Sequence, residues 1–182
     1  MRALRNGALG LMAVVLLLAS PGRWAHAEPG DPPVGTITDF GVQQTALTIY
    51  EGYLGTGKDG APMWYGVQMG EPGVLVAVDP VSRTLVDSVE LAGSSGAWGV
   101  TQGSDGTVYA GSYSNAHLYS YDPESGESQD LGAPVPGAQL LYGLKAGDDG
   151  TIYGGTYPGA SAFSYSPREG FTNYGTMYEG EE

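Results

Sequence analysis

WGVTQGSDGTVYAGSYSNAHLYSYDPESG at residues 98–126 returns as YGLKAGDDGTIYGGTYPGASAFSYSPREG at residues 142–170. The offset is 44 residues with no gap, and 13 of the 29 positions are identical. Matches include Gly99/Gly143, Asp105/Asp149, Gly106/Gly150, Tyr109/Tyr153, Gly111/Gly155, Tyr113/Tyr157 and Pro123/Pro167. Val100/Leu144, Val108/Ile152 and Tyr119/Phe163 differ conservatively. Self-similarity at a fixed period of this length marks a repeat architecture, in which each unit hides its apolar face against the next.

Each copy reads as four short strands. In the middle copy the expected strands are Ala97–Gln102, Thr107–Ser112, His117–Asp122 and Ser128–Gly132. Asp105-Gly106 lies between the first two, where Gly supplies the positive φ of a tight hairpin. Asp122-Pro-Glu-Ser-Gly126 lies between the last two, where Pro presets φ and Gly completes the bend. Along the second strand, Val108 and Ala110 face one way while Tyr109, Gly111 and Tyr113 face the other. After the leader described below, no segment sustains a 3.6-residue apolar period, so essentially no helix is expected.

A more divergent copy lies upstream. Val76-Ala77-Val78-Asp79-Pro80 aligns with Tyr119-Ser120-Tyr121-Asp122-Pro123, and Asp59-Gly60 matches the Asp-Gly turns. Thr36–Gly41 resembles the copy ends at residues 128–132 and 172–175, so it reads as a lone outer strand. The fold class that follows is all-β, with about three four-stranded blades at about 45–91, 97–132 and 141–175 plus that leading strand. Four strands in about 44 residues is the repeat of a β-propeller, whose best-known blades run at roughly 40–45 residues. The D-G-x-φ-Y-x-G and φ-D-P-x-S/T-G patterns resemble the broad group of secreted bacterial propellers. That group includes quinoprotein-like, streptogramin-lyase-like and polysaccharide-lyase propellers. The quinoprotein repeat carries a Trp after the turn Gly; Ser128 and Thr172 occupy that region here, which argues against a quinone cofactor.

The N-terminus carries an address. Arg2 and Arg5 precede the apolar run Ala8–Ala19, then Ser20-Pro21-Gly22 and the small-x-small site Ala25-His26-Ala27. This is a secretory signal peptide over 1–27, cleaved after Ala27. About 12 apolar residues are too few to cross a bilayer, which needs roughly 20. The expected location is therefore extracellular or periplasmic, with no membrane anchor after cleavage.

Composition narrows the chemistry. The chain has 182 residues, with 20 acidic and 7 basic side chains, a net charge of −13, 31 Gly, 13 Tyr and no Cys. Disulfides, zinc-thiolate sites and a Cys nucleophile are excluded. An acidic protein repels phosphates, so nucleic acid is not an expected partner. Beyond the leader only Lys58, Arg83, Lys145 and Arg168 are basic. A ring of typically 4–8 blades is needed to remove the open sheet edges. Three and a half units fall short of it, so the sequence reads as an N-terminal fragment of a longer propeller. The rivals are oligomerisation into a ring and a four-bladed form with a defective last blade.

In propellers the functional face is where the innermost strands begin and the second and third strands connect; so the resemblance implies. It points to Trp98, Tyr142 and the loops Ser112–His117 and Thr156–Ser161, hence to Trp98, Tyr142, Tyr157 and Asn115 as ligand-binding candidates. Aromatic faces beside polar groups suit sugar rings. Exact repetition also favours plain blade-on-blade packing for Trp98/Tyr142 and Tyr113/Tyr157. His117 stands where the next copy has Ser161, so the blade does not require it. With Tyr113 nearby it is the candidate acid or base of a lyase.

No metal site is expected. Asp59, Asp105, Asp148 and Asp149 lack calcium-loop spacing and suit turns. Gly55–Gly60 matches G-x-G-x-x-G but is followed by Pro62, Trp64 and Tyr65 rather than a helix, so no dinucleotide cofactor is expected. Two functions follow: a binding or scaffold module for a glycan or an extracellular protein, or a polysaccharide lyase or glycoside hydrolase. A lyase acting on acidic sugars needs cations against the uronate. Lys145 alone on an inner strand supplies that poorly.

Overall fold

The computed structural model describes residues 48–178, which carry twelve strands and one short 3₁₀ turn at Lys58–Gly60. The expected signal peptide at 1–27 and lone strand at 36–41 lie outside the described residues. Blade 1 comprises β1 (Ile49–Thr56), β2 (Pro62–Gln68), β3 (Gly73–Asp79) and β4 (Thr84–Leu91). Blade 2 comprises β5 (Ala97–Gln102), β6 (Val108–Ser112), β7 (Leu118–Tyr121) and β8 (Ser128–Gly132). Blade 3 comprises β9 (Leu140–Ala146), β10 (Ile152–Tyr157), β11 (Ser161–Ser166) and β12 (Gly170–Thr176). Each blade is an antiparallel meander in chain order. The innermost strands β5 and β9 run parallel, meeting at Trp98 and Tyr142. The fold is thus all-β, with three blades side by side in the propeller manner and no α-helix among the described residues.

The turns form for local reasons. Gly57, Gly103 and Gly147 each donate a backbone N–H to the carbonyl four residues on, at Ala61, Thr107 and Thr151. The Asp149 carboxylate accepts from the Thr151 N–H and hydroxyl, and Asp105 accepts from the Thr107 N–H. These Asp side chains act as backbone mimics that close Asx turns. The second turn type repeats as well. Asp79 accepts from Val81, Ser82 and the Ser82 hydroxyl, while Asp122 accepts from Glu124 and the Ser125 hydroxyl. These hydrogen bonds to the ionised form hold both carboxyls below the usual range.

Two apolar clusters join the blades. Met63, Tyr65, Val67, Leu75 and Ala77 of blade 1 pack against Val100, Val108, Ala110, Tyr119 and Tyr121 of blade 2. Tyr109, Ala116 and Leu118 of blade 2 pack against Leu141, Leu144, Ile152 and Phe163 of blade 3. The second contact is close because blade 2 offers bare backbone. A Cβ on Gly111 would stand 2.9 Å from the Leu141 Cβ, and one on Gly99 would stand 2.9 Å from the Leu144 Cγ. Polar links reinforce the first contact. The Gln102 amide donates to the Thr56 and Gly106 carbonyls and accepts from the Thr56 N–H, and the Tyr121 hydroxyl donates to Asp87.

Gly111→Ala will lower stability by about 1–3 kcal/mol, the usual cost of overpacking a filled core; urea unfolding measures it. Burial pushes the Tyr65 and Tyr109 phenols up to about 12, Asp105 adding to the effect at Tyr109. An unfolded Tyr ionises near pH 10, at about the unperturbed value. The folded state therefore holds these protons longer, and stability is complete below about pH 10 and is lost as pH climbs toward about 12. Thermal unfolding at pH 9 and at pH 11 will show the melting temperature fall.

Candidate functional site

The strongest concentration of surface chemistry lies where the innermost strands begin. Trp98, second residue of β5, sits among three tyrosines. Its ring centroid is 5.4 Å from Tyr50 on β1, 6.0 Å from Tyr113 after β6, and 5.3 Å from Tyr142 on β9. Trp98 and Tyr113 are stacked at 25°, while Trp98 and Tyr142 meet edge to face at 62°. These are favoured arrangements for aromatic pairs. The parallel β5–β9 pairing brings Trp98 and Tyr142 together. Tyr113 is fixed by its backbone, which donates to Gly96 and accepts from Ser95. Tyr50 and Tyr113 remain well exposed, so the cluster presents ring faces to solvent. The Trp98 Nε1 is the one buried side-chain polar atom among the described residues without a hydrogen-bond partner. A buried indole N–H ordinarily finds a partner.

A cleft of about 510 Å³ opens beside this cluster, between blades 1 and 2. Glu71, Glu90, Ser94, Ser95 and Ser114 are among the residues lining it. The Ser95 hydroxyl donates to Ser114 at 3.1 Å and lies 3.4 Å from a Glu71 carboxylate oxygen. Ser95 and Ser114 flank Tyr113 through the backbone pairing just described, which places hydroxyls and carboxylates next to the rings. The volume falls within the range of small-ligand sites.

The remaining sequence candidates separate. Tyr157 occupies the place of Tyr113 in blade 3 and is half exposed, with no aromatic neighbour among the described residues. Asn115 spends its amide on its own loop: Oδ1 accepts from the Ser112 hydroxyl and Nδ2 donates to the Tyr119 hydroxyl. That hydroxyl in turn donates to the Ala92 carbonyl at 2.6 Å, tying the loop to blade 1. His117 points toward the outer strand of its blade. Its Nδ1 lies 2.9 Å from both carboxylate oxygens of Asp130, and its ring neighbour is Tyr119 at 6.2 Å. Tyr113 stacks on Trp98 instead, so the two expected catalytic partners face different surroundings.

Two residues escaped the sequence reading. Tyr50 belongs to the divergent first copy, whose inner strand keeps too little of the pattern to be aligned. Asp130 lies beyond the ungapped repeat window. Its equivalent by strand pairing is Asn173, since Asp130 faces Tyr119 as Asn173 faces Phe163. Both side chains accept the N–H two residues on, at Gly132 and Gly175. His117 and Asp130 therefore both depart from the next copy, which has Ser161 and Asn173. That joint departure was the available signal.

No protein-family model and no curated protein sequence matches the chain. Among solved structures, virginiamycin B lyase from Staphylococcus aureus, a β-propeller, is similar over 71% of this chain, with 17% identity and a TM-score of 0.59. The match covers 43% of that protein, so this chain spans less than half its length. A protein of unknown function from Bacteroides caccae is similar over 72% of this chain and 49% of its own, with 10% identity and a TM-score of 0.45. At 17% identity the first likeness establishes the propeller-like fold and nothing about activity.

Asn115→Ala will remove the acceptor of the Ser112 hydroxyl and the amide donor to the Tyr119 hydroxyl, which keeps its own bond to the Ala92 carbonyl. The loss is about 1–3 kcal/mol, the cost of leaving part-buried polar groups unpaired. Urea unfolding of the variant beside the parent measures it.

Proposed function

We propose that the chain is an exported propeller module that binds a neutral carbohydrate at the mouth formed by its inner strands. The observation that carries this reading is the cluster of Tyr50, Trp98, Tyr113 and Tyr142 set beside a hydroxyl-lined cleft. Sugar rings offer apolar C–H faces that stack on aromatic carbons, while their hydroxyls need hydrogen-bond partners close by. Glu71 and Glu90 at the cleft repel carboxylates, which favours a neutral sugar over a uronate. Export rests on the leader at residues 1–27.

The second reading is a polysaccharide lyase or hydrolase, and one observation favours it. Asp130 orients His117 as a carboxylate orients a catalytic base. The solved relative with the higher TM-score is itself named a lyase. Against this reading, the pair is set apart from the aromatic cluster, and Asp130 also serves its own strand by capping Gly132.

A glycan array followed by calorimetry on the best neutral ligand tests the first reading. Trp98→Ala and Tyr113→Ala are each expected to weaken binding about tenfold, an aromatic contact's worth of about 1.4 kcal/mol. His117→Ala should leave affinity unchanged. Release of unsaturated sugar products that disappears in His117→Ala would instead establish the enzyme, and absence of binding to every neutral glycan would sink the module.

A further inference from the structure

The loop after β6 holds two residues in a conformation that side chains avoid. Ser114 has φ 79° and Ala116 has φ 51°. The left-handed region is crowded for any residue with a Cβ, and such residues persist only where the surroundings hold them there. Asn115 between them supplies the hold. It is bonded to the Ser112 and Tyr119 hydroxyls, and the His117 N–H donates to the Ser112 hydroxyl. Ala116 is fully buried. Ser114 is exposed on the wall of the cleft, next in sequence to the stacked ring of Tyr113.

The repeat does not require this serine. Forty-four residues on stands Pro158, whose ring forbids a positive φ and which has no hydroxyl. Its partner departs as well. Ser95 and Gln139 hold equivalent places, since each donates its backbone N–H to the carbonyl of the repeating tyrosine, Tyr113 or Tyr157. Ser95 and Ser114 thus stand where the next copy has Gln139 and Pro158, and the two hydroxyls meet at 3.1 Å. Glu71, from the loop between β2 and β3, brings a carboxylate oxygen to 3.4 Å from the same Ser95 hydroxyl.

The donor count decides what this group can do. The Ser95 proton goes to the Ser114 oxygen. Among the described residues the Ser114 proton has no acceptor, so it is available to a ligand oxygen. The carboxylate of Glu71 only accepts. Both groups lie within reach of the Ser95 hydroxyl, so they are no more than two hydrogen-bond lengths apart. Two neighbouring hydroxyls of one sugar ring bridge such a span. We propose that Ser114 and Glu71 are the specificity-determining pair of the carbohydrate site, selecting a sugar with two adjacent free hydroxyls on the ring stacked against Tyr113. Ser114 donates to one hydroxyl oxygen, and Glu71 accepts the proton of its neighbour. A sugar alkylated or acylated at that neighbour sets an ether or ester oxygen against the carboxylate and is rejected. This inference rests on the carbohydrate reading and gives it a hydroxyl pattern.

NMR titration with the methyl glycosides of glucose, galactose and mannose, and with their monodeoxy forms, tests it; circular dichroism confirms that each variant is folded. Ser114→Gly removes the hydroxyl and takes φ 79° without strain, so its melting temperature is expected to hold or rise. Its affinity is expected to fall about fivefold, one neutral hydrogen bond's worth, and that of Glu71→Gln about tenfold, as for a charged one. Stability and affinity moving apart separates a ligand-reading residue from a structural one. One monodeoxy sugar should bind the parent about fivefold more weakly than the whole sugar, yet bind Ser114→Gly no more weakly than the whole sugar does. Unchanged affinity in both variants while Trp98→Ala weakens binding would overturn this inference and leave the module standing. Deoxy losses equal in parent and variant would do the same. A parent that binds none of these sugars overturns both.

Discussion

Everything in this molecule depends on how near one sheet lies to the next. Gly99 and Gly111 remove side chains from the centre of blade 2, so that Leu141 and Leu144 sit almost on its backbone. That closeness sets the distance between the inner strands and allows β5 and β9 to touch at Trp98 and Tyr142. The aromatic cluster is therefore a by-product of sheet spacing. Rings from three successive blades converge only because the sheets beneath them are in van der Waals contact. Without disulfides, a stack of this kind relies on packing and sheet hydrogen bonds alone.

The same logic explains what was legible in the sequence. An ungapped repeat carries its structure with it: the expected strands Ala97–Gln102 and Ser128–Gly132 are the observed β5 and β8. Asp-Gly and Asp-Pro pairs mark turns because a carboxylate can hold the next backbone N–H groups, which is a local property. Side-chain partnerships across blades are not local. Tyr50 reaches Trp98 from a copy that has drifted too far to align. Asp130 reaches His117 from an outer strand whose offset falls from 44 to 43, because the turn before it is one residue longer than in the next copy. Asn115 looked like a ligand-facing amide and is spent on its loop, since the Ser112 and Tyr119 hydroxyls lie within its reach. Sequence spacing located the loops well and their hydrogen-bond bookkeeping poorly.

The departures from the repeat are as informative as its regularity. The Gly of the Asp-Gly turn returns in all three blades, and the Tyr of D-G-x-φ-Y returns in blades 2 and 3, with Met63 in its place in blade 1. His117 and Asp130 change together and meet in space, a coincidence that packing does not demand. Arg83 shows the opposite kind of departure. It holds φ 61° at the turn position where the later copies have Gly126 and Gly170, so blade 1 accepts a strained residue in a place the others fill without strain.

The meander connectivity has a consequence for how the chain comes to be folded. Every strand pairs within its blade with its immediate neighbour in sequence, so each blade closes through short hairpins. Pairings of low sequence separation form early and cheaply, whereas most all-β folds wait for distant segments to meet. A chain threaded out residue by residue can complete one blade before the next has emerged, each finished sheet serving as the template on which its successor condenses. Order would then accumulate from one end, like a zipper rather than a collapse.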